Sequence, residues 1–142
     1  MGLLRIFIPS WRFFDELGQV ATLSHRTRLF DNTEFGAWEN SITKPTPSPA
    51  AFLFNPSGNL YLASQALVGQ LMVDIQNLQG EPDPSLLENR CSFLLVQKYV
   101  EQQVRKNNPL QSSLHYQFKI SVVDPNQPQN DYEALISKEY SL

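Results

Sequence analysis

Ser113-Leu114-His115-Tyr116-Gln117-Phe118-Lys119-Ile120-Ser121-Val122-Val123 is the stretch on which the fold turns. Leu114, Tyr116, Phe118, Ile120 and Val122 alternate with His115, Gln117, Lys119 and Ser121. A period of two marks a strand with one apolar and one polar face. Asp124-Pro125-Asn126-Gln127-Pro128 ends it. Tyr132, Ala134, Ile136 and Tyr140 fit a last strand, while Asp131 to Ser137 also permits a short helix.

Upstream the period changes. From Leu60 to Leu78, Leu60, Ala63, Leu67, Leu71, Ile75 and Leu78 recur at spacings of three and four, with Val68 and Met72 widening the stripe. Gly69 inside this helix costs about 1 kcal/mol against alanine, which predicts close packing there. A second helix starts at Asp83-Pro84, a cap followed by proline at the first helical position. Its expected buried face is Leu87, Cys91, Leu94, Leu95, Tyr99 and Val100. Arg105 and Lys106 suit the negative end of the dipole, and Asn107-Asn108-Pro109 stops it.

Earlier still, Gln19 to Phe30 alternates and reads as a half-buried strand, with Phe35 to Asn40 a second strand in a hairpin with it. Strands, two consecutive helices and one or two further strands predict an α+β fold: a mainly antiparallel sheet with the two helices packed on one face. Helices not separated by strands argue against a doubly wound parallel sheet.

The 142 residues, 42% of them hydrophobic, suit one domain over 1–142 that buries roughly two-thirds of its unfolded surface. Two segments stand apart. Thr43-Lys44-Pro45-Thr46-Pro47-Ser48-Pro49 alternates proline and predicts an extended connector over 43–49. Residues 1–17 form an apolar arm containing Phe7, Trp11, Phe13 and Phe14, with Arg5 and Arg12 interspersed. Its start lacks the uninterrupted apolar run and small-residue cleavage site of a secretory signal. With one cysteine and no such signal, the expected compartment is the cytoplasm. The run Pro9-Ser10-Trp11-Arg12-Phe13-Phe14-Asp15 resembles segments of bacterial proteins, and no function is carried from it.

Chemistry is sparse. A net charge of −3 is small and of the wrong sign for a protein held by nucleic-acid phosphates, so no nucleic-acid partner is expected. Cys91, on the apolar stripe of its helix, reads as packing, and His25 and His115 read as surface residues. Two histidines and a cysteine far apart make no metal motif, and six scattered glycines make no phosphate loop. No catalytic residue, metal or cofactor is therefore assigned.

What remains is the arm. Its rings pack into the core, bind a protein partner or a second copy, or rest on a membrane surface. The leading expectation is a non-catalytic protein-interaction or accessory module, with Trp11, Phe13, Phe14 and Phe7 as partner-binding residues. The alternatives are a small hydrolase or transferase, and a peripheral membrane-associated protein that uses the arm.

Overall fold

The computed structural model describes residues 20–29, 34–46, 55–78, 84–111 and 113–142. The arm, with Phe7, Trp11, Phe13 and Phe14, lies outside these residues, as does the second half of the proline connector.

β1 (Val20–Arg28) and β3 (His115–Val123) pair antiparallel along their whole length, from Val20 opposite Val123 to Arg28 opposite His115. β2 is short (Glu39–Asn40) and pairs with the outer side of β1. The other edge of β3 is shared by β4 (Tyr132–Ile136) and β5 (Tyr140–Ser141). The order β2-β1-β3-β4, with β5 also on β3, makes an antiparallel sheet of five strands.

The alternation expected for β3 holds: Tyr116, Phe118, Ile120 and Val122 are buried and their neighbours half-buried. Strict alternation fails in β4, because the register shifts between Ile120 and Ser121 of β3. A bulge puts one extra residue on one strand. Consecutive Ala134 and Leu135 are both buried, and Tyr132 and Ile136 are left exposed. The helical alternative for 131–137 is thereby settled in favour of a strand. Asp124 turns the chain into this edge: its Oδ1 accepts from the backbone N–H groups of Asn126 and Gln127.

α1 (Pro56–Gln76) begins where Asn55 Oδ1 accepts from Gly58 N at 2.8 Å, with proline at its first position. A Cβ on Gly58 would lie 2.2 Å from Asn55 Nδ2, so the cap requires glycine there. The second helical region is two elements, α2 (Pro84–Leu87) and α3 (Cys91–Asn107). Arg90 N donates to Leu87 O across the break.

That break changes the phase of α3. Its buried face is Ser92, Phe93, Val96, Val100 and Val104, whereas Cys91, Leu94 and Leu95 are exposed. Phe93, Val96, Val100 and Val104 keep a spacing of three and four as faithfully as the expected set did, and tertiary packing chose between the two stripes. α1 is rotated similarly. Ser64, Val68, Leu71, Met72 and Ile75 are buried, and Leu60 and Ala63 are exposed. Ser64 tolerates burial because its Oγ donates to Leu60 O at 2.8 Å.

α1 packs on α3, and the two pack on β1 and β3. Their inner faces and the sheet form one apolar cluster around Leu23, Leu71, Phe93, Val96 and Phe118. Phe93 and Phe118 meet with ring centroids 5.5 Å apart. Each fully buried side chain of this size contributes about 1.5–3 kcal/mol.

Candidate interaction surface

The two faces of the molecule handle water differently. On the sheet face away from the helices, charges are matched strand by strand. Arg26 Nε and Nη2 donate to Gln117 Oε1 at 2.9 and 2.6 Å, and its guanidinium lies 4.6 Å from the centroid of Phe35 and 4.5 Å from that of Trp38. Lys119 pairs with Glu133 at 2.5 Å and covers the other edge of Trp38 at 4.8 Å. Arg28 and His115 Nδ1 converge on Glu139 at 2.5 and 2.8 Å. This lattice pins 34–38 across β1 and β3, and its cations are occupied within the chain. Arg26 and Arg28, two residues apart on β1, share that side, both over the Phe35 ring.

α1 is the opposite case. At the chain's 18% charged content, a helix of 21 residues would carry about four charges. It carries one, Asp74, which is half-buried and accepts from Ser92 Oγ of α3. Every exposed position from Pro56 to Gln76 is uncharged. Along the outward side run Leu62, Ala66, Gly69 and Val73, at spacings of four, three and four. Leu62 is 64% exposed and Val73 47%. A Cβ built on Gly69 meets nothing within 4 Å. The close packing expected at Gly69 is therefore absent among the described residues: the glycine faces open space.

Among the described residues the titratable groups single out no reactive centre. His25, expected at the surface, is only 3% exposed, on the core side of β1. Its Nδ1 and Ser41 Oγ share a 2.9 Å hydrogen bond, and burial lowers its pKa against a smaller opposing pull from Glu39. Ser41 N donates to Leu23 O, and Tyr99 OH donates to Ser41 O at 3.2 Å. The pair thus ties the chain after β2 to β1 and α3. Cys91 is exposed at the start of α3 rather than packed as expected.

Comparison with family models, with curated proteins and with solved structures finds no match. The site is therefore argued from its own geometry.

A groove of about 390 Å³ opens between 42–46, the first turns of α1 and the middle of α3. Among the described residues neither histidine, nor the cysteine, nor any carboxylate lines it. Among the described residues no group of three or more His, Cys, Asp and Glu is placed to hold a metal, and no helix is long and apolar enough to cross a membrane. The rings expected to bind a partner, Phe7, Trp11, Phe13 and Phe14, lie outside the described residues. The outward stripe of α1 was missed from the sequence because the helical spacing picked out Leu60, Ala63, Leu67, Leu71, Ile75 and Leu78, and Leu62, Ala66 and Val73 fall outside that set. The signal was the surplus: more apolar positions than one helix face can bury.

Proposed function

We propose that this chain is a non-catalytic interaction module that self-associates through the outward face of α1. The observation that carries the reading is the stripe Leu62, Ala66, Gly69, Val73, exposed and uncharged on a helix that spends a glycine where nothing among the described residues requires one. Apolar residues that recur at helical spacing on a face the described residues leave open suit a covering partner.

A second copy is the occupant the stripe suits. An isologous contact must be self-complementary, residue i meeting j and j meeting i. Leu62, Ala66, Gly69 and Val73 read large, small, small, large in either direction. Two α1 helices crossing antiparallel, with the two-fold axis between Ala66 and Gly69, set Leu62 against Val73 of the second copy at both ends. The small residues at the centre let the backbones approach. No charge on the face repels its own image, and no charge on it attracts an ionic partner. A membrane surface is less suited, since interfacial helices carry lysine or arginine beside the apolar face and α1 has neither.

One helix face covers less than the ~800 Å² per partner of a standard stable interface. The expected dissociation constant is accordingly on the order of 10 μM. Sedimentation velocity from about 5 to 500 μM should show a monomer–dimer equilibrium. Gly69→Lys places like charges beside the two-fold axis, and the open space around Gly69 accommodates the side chain. The variant should stay folded and monomeric throughout, while Asn126→Lys on the far β3–β4 turn should dimerise normally. A parent chain that stays monomeric, or a Gly69→Lys variant that dimerises like the parent, rejects the reading.

A further inference from the structure

We infer that the groove between 42–46, α1 and α3 binds a small organic oxyanion that carries a ring. This inference is independent of self-association, because the groove takes Leu60 and Tyr61 from α1 but none of the outward stripe.

The first observation is electrostatic. Among the described residues the charged groups lining the groove are Lys44 and Lys106. Neither has an ion-pair or hydrogen-bond partner among the described residues. Elsewhere in the described chain Lys98, Arg105, Lys119 and Lys138 are each matched to a glutamate. Two unmatched cations facing one concavity, in a chain of net charge −3, make a local positive field that acidic side chains do not cancel.

The second observation is the rest of the lining. Thr43, Thr46 and Ser57 present hydroxyls and Gln103 an amide, all without partners among the described residues. With the two ammonium groups they supply donors and no acceptor-only carboxylate, the inventory that recognises an oxyanion. Tyr61 and Tyr99 stand with Leu60 and Ile42 as the apolar part of the wall, which suits a flat ring. The volume of about 390 Å³ falls at the small end of ligand pockets.

The third is rigidity. Ile42 is buried, and its N–H donates to Asn40 Oδ1 at 2.9 Å. Tyr99 OH holds Ser41 O. One wall is therefore fixed before any ligand arrives, which lowers the cost of binding. The proline spacing that predicted an extended connector supplies Pro45 to that wall.

The test is a ¹⁵N-resolved titration of the full chain with phenyl phosphate and with benzoate, alongside inorganic phosphate and phenol. Phenyl phosphate or benzoate should shift the amides of Thr43, Lys44 and Thr46 and of Ser57 to Tyr61 saturably, at millimolar concentration. Binding of either supports the inference, and the tighter of the two identifies the head group. The Lys44→Gln/Lys106→Gln variant should bind at least about tenfold more weakly. Both side chains are exposed and unpaired, so the variant keeps its fold. Absence of saturable shifts up to ~20 mM, equal affinity of the double variant, or binding of phenol or inorganic phosphate as tight as that of phenyl phosphate overturns it.

Discussion

Gly69→Ala isolates the premise of the interaction surface. Gly69 sits mid-way along α1, its position is exposed, and a Cβ there meets no atom within 4 Å. An added methyl group therefore gains no contact and suffers no clash in the isolated chain. What changes is backbone freedom. Alanine in a helix interior is favoured over glycine by about 0.8–1.0 kcal/mol, partly because glycine has more unfolded conformations to lose. The expected result is a gain of about 1 kcal/mol in unfolding free energy, and a rise of roughly 3 °C in melting temperature for a chain of this length. The assay is urea unfolding followed by circular dichroism, at concentrations well below the association range, with an unchanged m-value. A variant less stable than the parent would mean that Gly69 packs against its own chain. The outward stripe would then be part of the core, and the case for a second copy would collapse with it.

Two further outcomes follow from the buried polar groups. Tyr140 OH is buried with no hydrogen-bond partner among the described residues, while its ring packs beside Tyr116 and Phe118 at centroid distances of 5.5 and 6.3 Å. Tyr140→Phe keeps the ring contacts and removes a hydroxyl whose desolvation is uncompensated, so stability at pH 7 should rise by on the order of 1 kcal/mol. Burial, with Glu88 and Tyr116 adding to it, pushes the Tyr140 pKa from 10.0 up to about 12. A raised folded pKa means stability present below pH 10 and lost as pH climbs from 10 toward 12, and the phenylalanine variant should lack that loss. A destabilised variant would show that the hydroxyl has a partner in solution. His25 runs the other way. Its folded pKa lies below the unfolded 6.5, so the unfolded chain takes up the proton first, and stability should fall as pH drops below 6.5. The His25 imidazole shifts, followed by NMR, should titrate with a midpoint under 6.5, and a midpoint at or above that value contradicts the burial.

The sheet was legible and the helix phases were not, for one physical reason. Along β3 each apolar residue alternates with a polar one, so only one face can turn inward and a slip of one residue would bury Lys119 and Gln117. On α1 the polar residues are mostly serine and glutamine, which tolerate either side, and the charges of α3, Lys98, Glu101, Arg105 and Lys106, all come after its first turn. Two stripes of equal spacing then compete, and the sheet surface decides between them. Phe93 entered the core, and Leu94 and Leu95 did not. His25 was misread for a related cause: alternation put it on the same side as Leu23, but a histidine in a strand reads as polar until a partner such as Ser41, sixteen residues on, is brought to it. The groove had only half a signal, the proline spacing, because Lys44 and Lys106 line one groove only through the placement of 42–46 beside α3, where Tyr99 OH donates to Ser41 O.

The surplus on α1 is the stronger guide to function because two separate costs fall on one stripe. A surface helix gains solubility from charges and loses nothing in packing by carrying them, so an exposed face without any is a departure from what a solitary chain needs. A mid-helix glycine with empty space above it costs about 1 kcal/mol in the same place. Either alone is tolerable in a protein whose net stability is small. Their coincidence on Leu62, Ala66, Gly69 and Val73 contrasts with the sheet face, where the arginines and lysine of β1 and β3 are each given an acceptor or a ring. That contrast, between a sheet face whose charges are matched and a helix left uncharged and thin at its centre, is the ground on which the proposed contact with a second copy rests.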